Sequence, residues 1–266
     1  MDDADRTPPQ ELAVAAPAAG LDLPAAELKM LVAGLAADWL AGRRTAGFRR
    51  LGEGLSQIEE GFAAIEPTVR HGVCSMQPRM GYEPHSRAVE LDEQSRRRGL
   101  EMRYVTTERS LALYPLITSE MPHVHFGPVP CQLMVIDGRT VVVAGPLSET
   151  GQPTAWLATR ADLLERSRAI FEATWSRSRP GVPEGMDPPF TPRQCEVARR
   201  VVLGVKDSGI ARELGISVRT VAADVAQLMQ GVGATSRAEL AMVLLGGTDL
   251  PRSPRPRPRT DGAGRG

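Results

Sequence analysis

Apolar residues recur at helical spacing in two segments near the N-terminus. The first segment carries a stripe made of Leu28, Leu31, Val32, Leu35, Trp39 and Leu40. The second covers residues 48–65, with Phe48, Leu51, Leu55, Ile58, Phe62 and Ile65 on one face. This periodicity predicts a helical hairpin over residues 25–66, which packs either on the protein's own core, the commoner use of such a stripe, or on a partner chain. Residues 1–24 are rich in Ala and Pro without periodicity and are predicted to be disordered.

Between residues 67 and 179 the pattern changes to short apolar runs that alternate with helical segments. Strands are predicted at VRHGVCSM, EMRYVTT, HVHF, CQLMVID, TVVVAGP and TAWLAT, and helices at 86–99, 110–120 and 161–176. Two of these runs meet at Asp137-Gly138, a dipeptide favoured in tight hairpin turns that need positive φ. Alternation of strands and helices predicts an α/β domain with a mostly parallel sheet.

Two segments lack any core-forming pattern. Residues 180–189 are dense in Pro and Gly and are predicted to form an interdomain linker. Residues 247–266 form a basic tail with Arg252, Arg255, Arg257 and Arg259, which is predicted to be disordered. The tail either tracks a phosphate backbone or is a solvated end without a role.

Residues 190–246 read as four short helices with clear boundaries. Thr191 and Gln194 are spaced as a capping box around Pro192, and Ser236 with Glu239 repeats that spacing. Further start and stop signals come from Gly204, Asp207, Gly215 and Ser217. The pattern therefore predicts an all-α, four-helix C-terminal domain.

Within that domain, a short helix, a glycine turn and a longer helix form the helix-turn-helix arrangement, whose second helix enters the major groove. If Val221, Val225 and Leu228 are buried, small residues on the opposite face allow close approach to base edges. Arg219 then contacts guanine or phosphate, while cations near helix ends contact phosphates. The predicted DNA-binding residues are Lys206, Arg212, Ser217, Val218, Arg219, Thr220, Ala222, Ala223, Ala226, Gln227 and Arg237.

The same segment resembles the LuxR/NarL-type helix-turn-helix domain over its whole length. The matching residues are Thr191-Pro192-Arg193, Glu196-Val197, Gly204, Ile210-Ala211, Leu214, Ile216-Ser217, Thr220-Val221, Gly233 and Ser236-Arg237-Ala238-Glu239-Leu240. The resemblance implies a transcriptional regulator that binds double-stranded promoter DNA, dimerises through its last helix and positions RNA polymerase.

The segment also departs from the family pattern. Ala222 stands where the family commonly has Lys, Gly231-Val232 where it has Lys-Leu, and Asp224 where His is frequent. Each lost cation removes a phosphate contact and flattens the salt dependence of binding. The fold is therefore expected, while the affinity for DNA is open.

The N-terminal region does not match the domains that this family usually joins to its helix-turn-helix domain. A phosphorylated receiver needs a lysine near its last strand, and no lysine lies between Lys29 and Lys206. The clustered Trp and Tyr residues of lactone-binding domains are also missing.

The region 67–179 resembles, more weakly, a degenerate phospholipase-D-like domain of TrmB-type sensors in some actinobacterial regulators. Active members place His and Lys seven and five residues before an Asp. Relative to Asp137, those positions hold Pro130 and Gln132, so the nucleophile and the phosphate clamp are lacking. The resemblance implies a domain without catalysis that senses an unknown small-molecule or anionic ligand.

The composition limits the expected source and cellular location of the protein. The formal net charge is zero. Lys29 and Lys206 are the only lysines, and with the many Ala, Gly and Pro residues this is typical of a GC-rich bacterial genome. The three cysteines, Cys74, Cys131 and Cys195, form no C-x-x-C pair and support neither disulfides nor zinc. No signal peptide is visible at the N-terminus, and no apolar run approaches the about 20 residues of a membrane span. A cytoplasmic protein without metal or cofactor is expected.

A few other residues could carry chemistry. His123 and His125 point to one strand face near Cys131, but two histidines alone make a weak metal site. Arg96-Arg97-Arg98 faces either an anionic ligand or solvent.

The sequence thus predicts a sequence-specific, pathway-specific DNA-binding regulator that is not an enzyme. One alternative is an interaction protein that no longer binds DNA and sequesters another regulator. The least favoured alternative is a phosphodiesterase with an unusual nucleophile.

Overall fold

The centre of the N-terminal domain is an eight-stranded sheet. The computed structural model describes residues 20–247 and 254–259. The strand order is β1-β7-β6-β5-β2-β3-β4-β8. The strands are β1 Phe48–Glu53, β2 Gly72–Gln77, β3 Glu101–Thr106, β4 Val124–Phe126, β5 Leu133–Ile136, β6 Thr140–Ala144, β7 Thr154–Ala158 and β8 Arg179–Pro180.

The prediction of a mostly parallel sheet is wrong. Only β2 with β3 and β3 with β4 pair in parallel, and the other neighbours in the sheet are antiparallel. The cause is the length of the connections: the turn at Asp137-Gly138 reverses the chain at once, whereas parallel pairing needs a crossover of a dozen or more residues. Asp137 has a φ of 52°, as the hairpin prediction requires.

Helices cover both faces of this sheet. They are α1 Asp22–Leu40, α2 Leu55–Ile65, α3 Ala88–Arg97, α4 Arg109–Leu113, α5 Ile117–Glu120 and α6 Ala161–Trp175. Buried side chains of α1 and α6 share one apolar core with the sheet, and α2 packs over the opposite face. The predicted helix over 110–120 is therefore two short helices, α4 and α5.

The predicted helical hairpin is wrong in its second half. Residues 48–53 form β1, which pairs with β7, and the helix begins only at Leu55. Two glycines explain the difference. Gly54 has a φ of 78°, outside the helical region, and a side chain at Gly52 would approach the backbone of Gln57 to 2.7 Å. The predicted disorder of residues 1–24 lies outside the described residues up to residue 19, and it is wrong for residues 22–24, which form the first turn of α1.

Trp156 lies at the centre of the larger core. Its indole stacks on Phe48 with ring centroids 5.0 Å apart and receives the edge of Trp39 at 5.4 Å. Its ring nitrogen donates to the Thr154 hydroxyl at 3.0 Å, so the buried polar atom is satisfied. This aromatic cluster joins α1 and β1 to β7.

The predicted four-helix C-terminal domain is confirmed as α7 Pro192–Val202, α8 Asp207–Leu214, α9 Val218–Val232 and α10 Arg237–Leu244. Thr191 and Gln194 form the complete capping box, and Ser217 accepts from the Thr220 amide. Two details differ from the prediction. Lys206 occupies the N-cap of α8, one residue before Asp207, and the Glu239 carboxylate accepts from the Thr235 amide.

The predicted linker and tail contact each other. Strands β9 Met186–Asp187 and β10 Arg257–Pro258 pair antiparallel. Arg257 Nε donates to the Pro188 carbonyl at 3.2 Å, and Arg259 Nε lies 3.3 Å from an Asp187 carboxylate oxygen. The described part of the tail is therefore an ordered two-stranded contact, while Arg252 lies outside the described residues.

Candidate nucleic-acid interface

The turn between α8 and α9 sets the direction of the longer helix. Gly215 ends α8 with a φ of 65°, a left-handed conformation that glycine adopts without strain. Ser217 then caps α9 through its hydroxyl, which accepts from the Thr220 amide at 3.0 Å. The two helices therefore meet as a helix-turn-helix pair.

The faces of α9 divide as the sequence predicts. Its buried side chains, which pack against the other helices of the domain, are Val221, Asp224, Val225, Leu228 and Val232. The predicted DNA-binding residues that are exposed are Ser217, Val218, Arg219, Ala222, Ala223, Ala226 and Gln227, and Thr220 is half-buried. Their contact with DNA stays a prediction.

Three cations flank this exposed face without an internal partner. Among the described residues, Lys206, Arg212 and Arg219 are exposed and have no ion pair with another side chain. A fourth predicted residue, Arg237, differs. Its guanidinium donates to Asp207 at 2.5 Å and to the Val205 carbonyl at 2.6 Å, and so it joins α10 to the start of α8.

Arg193 was missed by the sequence analysis as a neighbour of α9. Its guanidinium donates from two nitrogens to the Asp224 carboxylate, at 2.8 and 3.0 Å. This bond raises the pKa of Arg193 and satisfies the buried carboxylate. The Asp224 departure from the family pattern is therefore compensated by a cation from α7. No sequence signal marks this pair, because the two residues are 31 positions apart.

Gln227 is also held in place from α7. Its side-chain oxygen accepts from the Gln194 amide group, whose own oxygen accepts from the Thr191 backbone amide. The residue that completes the N-terminal cap of α7 thus also orients a residue on the exposed side of α9.

The opposite side of the C-terminal domain packs on the N-terminal domain. One apolar cluster contains Tyr114, Leu116 and Ile117 together with Phe190 and Cys195, and desolvation raises the pKa of the Cys195 thiol. The contact involves α7 and the residues that follow α10, where a Cβ added at Gly246 would lie 3.0 Å from the Leu113 Cα.

A buried ion pair lies in the same interface. Arg199 of α7 lies 3.5 Å from Glu120 of α5, and their side chains are 16% and 4% exposed. The Tyr114 hydroxyl donates to the same carboxylate. Burial raises the pKa of Glu120, although Tyr114 and Arg199 both oppose that rise.

The hairpin residue Asp137 has a structural task. Its carboxylate accepts from the backbone amides of Arg70, His71 and Gly72 at 2.7–3.2 Å. Desolvation raises the pKa of Asp137, but the three backbone amides stabilise the ionised carboxylate more strongly, so the pKa is lowered overall. At the positions seven and five residues before it, the Pro130 carbonyl accepts from Lys29 at 3.3 Å and Gln132 is exposed. A cavity of about 480 Å³ beside Asp137 is lined by Arg49 and Arg139.

The remaining chemistry-capable residues have ordinary partners. His123 lies 3.3 Å from buried Asp92, and His125 bonds to the Ser178 hydroxyl while stacking on Trp175. In the part of the chain that the structure describes, no three His, Cys, Asp or Glu side chains are placed to hold a metal ion.

No described helix has the length and apolar character to cross a membrane.

The fold and the exposed face of α9 define the C-terminal part as a helix-turn-helix domain, the class that carries a recognition helix for DNA. The particular family follows from a family model: residues 188–244 match "Bacterial regulatory proteins, luxR family". The resemblance predicted from the sequence is thereby confirmed for this domain. No curated protein sequence matches the chain.

Solved structures give partial likenesses to both halves. The phospholipase D family member Nuc from Salmonella typhimurium is 12% identical over 50% of this chain and 96% of its own, with a TM-score of 0.40. TrmBL2, an archaeal chromatin protein, is 10% identical over 58% of this chain and 63% of its own, with a TM-score of 0.39. The Vibrio cholerae VqmA–ligand–DNA complex is 20% identical over 48% and 56%, with a TM-score of 0.22.

Proposed function

We propose that the protein is a sequence-specific transcriptional regulator that reads the major groove with α9. The observation that carries the proposal is the exposed face of α9, where small side chains lie between the free cation Arg219 and the C-terminal half of the helix. Methyl side chains at Ala222, Ala223 and Ala226 allow the helix backbone to come close to base edges.

The proposed contacts divide into two kinds. Arg219, in the first turn of α9, reads guanine through a bidentate hydrogen bond. Lys206 and Arg212 lie near the ends of α8 and contact phosphates, which fix the register of the helix on the duplex. Arg193 is 55% exposed and adds positive charge beside α9 even though it is bonded to Asp224.

Dimerisation through α10 completes this proposal. Met242 and Leu245 are 54% and 50% exposed on that helix, and Ala238 is exposed one turn before Met242. A second copy would cover these side chains and place two recognition helices on a two-fold symmetric site. The family domain further supports RNA polymerase as a partner and the cytoplasm as the location. An actinobacterial source and a pathway-specific role are part of the same proposal.

The N-terminal domain is proposed to sense a ligand and not to catalyse a reaction. The Asp137 carboxylate is committed to three backbone amides, and Pro130 and Gln132 supply neither nucleophile nor phosphate clamp. The cavity is lined by Arg49, Arg139 and Asp137, and the two guanidinium groups outweigh the one carboxylate, which favours a small anion. The interface of α7 with α5 then transmits the bound state to the DNA-binding domain.

Selection of bound sequences from a random duplex library tests the proposal with the full chain. We expect a two-fold symmetric motif, which Arg219→Ala weakens at one base by about 1–3 kcal/mol. Lys206→Ala is expected to lower affinity for all sequences and to reduce the salt slope by about one. Arg168→Ala is the matched control, because Arg168 is exposed on α6 and its loss removes an equal charge from the N-terminal domain.

Failure of the wild-type chain to enrich any motif would refute specific reading. The missing cation at Ala222 makes a non-binding interaction protein the second candidate. If Ala222→Lys enriches a motif that the wild type does not, the recognition face has lost its affinity and the protein acts by sequestering another regulator.

A further inference from the structure

Helix α1 is apolar on its outer face as well as on its inner face. Its inner side chains, among them Leu28 and Val32, are buried against the sheet. On the outer side, Leu23, Met30 and Leu40 are 69%, 67% and 63% exposed. A surface helix normally carries charged residues there, and a helix that is apolar all round is normally buried on all sides.

The outer apolar residues follow a regular spacing. Leu23, Ala26, Met30, Ala33, Ala37 and Leu40 are all exposed, and their separations alternate between three and four residues. This is the a/d spacing of a coiled coil, in which one helix packs along another. We call these six residues the outer seam. Their angular positions lie within about 100° of one another on the helix surface, at 100° per residue.

We propose that the outer seam pairs antiparallel with the outer seam of a second copy of this chain. The order Leu-Ala-Met-Ala-Ala-Leu nearly reads the same in both directions. An antiparallel pair therefore sets Leu23 opposite Leu40, Ala26 opposite Ala37 and Met30 opposite Ala33. Large residues meet at both ends, and alanines in between allow the helices to approach closely.

Charges at the two ends of α1 favour the same arrangement. Asp22 is in the first turn, whereas Arg43 and Arg44 lie three and four residues beyond Leu40, the last residue of the helix. An antiparallel pair brings the acidic end of one copy beside the basic end of the other, and it also opposes the two helix dipoles. A parallel pair would place like charges together. Glu27, Lys29 and Asp38 lie beside the seam, and Arg166 and Arg43 pair with the two carboxylates. Charges of both signs balance there, so the surface offers no cationic excess to an anionic membrane.

The size of the seam sets the strength expected of the contact. A helix of 19 residues is about 28 Å long and about 10 Å wide, so the strip covers about 280 Å². A standard interface buries about 800 Å² per partner. The pairing is therefore expected to be weak and concentration dependent. It does not depend on DNA binding by α9.

Sedimentation velocity over a concentration series tests the proposal with the full chain. The measurement is made in the wild type and in a Met242→Glu background, where α10 cannot dimerise the protein. In both, we expect a dimer whose Kd rises at least about tenfold with Met30→Glu, because the carboxylate would be placed in an apolar contact. Leu147→Glu is the matched control, because Leu147 is 68% exposed in the β6–β7 loop. The Kd of the dimer formed by this variant is expected to equal that of the parent chain.

A double variant distinguishes the direction of the pair. Combining Met30→Glu with Ala33→Lys restores dimerisation in an antiparallel pair, where opposite charges face each other, and blocks it in a parallel one. No restoration overturns the antiparallel arrangement. A chain that is monomeric at all concentrations in the Met242→Glu background overturns the pairing itself. Dimerisation that appears only after deletion of residues 2–19 also overturns it, because it assigns the seam to that segment.

Discussion

The ion pair between Arg199 and Glu120 offers a direct test of how the two domains are joined. We expect Arg199→Met to destabilise the folded chain by about 3 kcal/mol at neutral pH, because it leaves a buried carboxylate without its cation. Met retains most of the packing of the arginine stem. The cost lies at the lower end of the usual range, since Tyr114 still donates to Glu120 and the pair is 3.5 Å apart.

The pH dependence of this loss has a definite sign. Burial already raises the pKa of Glu120 above 4.5, and removal of Arg199 takes away one of the effects that oppose the rise. A carboxyl with a raised folded-state pKa binds more protons folded than unfolded, so stability falls as the pH rises through that pKa. The difference between variant and wild type is therefore expected to be largest near pH 7.5 and smaller near pH 5.

Two spectroscopic probes make the measurement specific to the interface. The three tryptophans, Trp39, Trp156 and Trp175, all lie in the N-terminal domain, so their fluorescence follows that domain alone. Circular dichroism follows helices of both domains. In urea, the two transitions are expected to coincide for the wild type and to separate for Arg199→Met.

Arg200→Met is the control for that experiment. Arg200 is also on α7, but it pairs with Glu196 and Glu213, which are about half exposed. Its loss is expected to cost about 0–1 kcal/mol without separating the two transitions. Equal effects of Arg199→Met and Arg200→Met, or a loss for Arg199→Met that does not change with pH, would refute the role given to the buried pair.

Three further changes test single interactions. Ser217→Ala removes the cap of α9 and is expected to lower stability by about 1 kcal/mol and weaken DNA binding, measured by urea unfolding and fluorescence anisotropy. Asp137→Asn keeps a residue that tolerates positive φ but weakens three amide contacts. It should cost about 1–3 kcal/mol at pH 7, and the difference should shrink as acid protonates the wild-type carboxylate. Asp224→Ala frees Arg193, and a steeper salt dependence of DNA binding is expected. An unchanged slope would contradict the positive charge that Arg193 is proposed to add beside α9.

The C-terminal domain could be predicted from the sequence because its signals are local. Caps such as Thr191 with Gln194, and glycines such as Gly215, act within a few residues. The exposed face of α9 follows from a single helical period. Local rules of this kind need no knowledge of distant partners.

The sheet and the interface depend instead on distant partners. Residues 48–53 have apolar positions that fit either a helix or a strand, and their pairing with β7 lies about a hundred residues away. The Arg193–Asp224 and Arg199–Glu120 pairs join residues that no spacing rule connects. Sequence reasoning therefore predicted α9 and its exposed face. It missed the ion pairs that hold α9 on α7 and join the two domains.

The pairing of β9 with β10 gives the DNA-binding domain an unusual mechanical setting. The chain enters the domain after Met186–Asp187, leaves it after α10, and returns so that Arg257–Pro258 lies beside the point of entry. The segment that enters the domain and the segment that follows it are thus held together by this pairing. A signal that separates β9 from β10 would free the entrance and the exit of the domain together, while the apolar contact of α7 with the N-terminal domain would still hold it.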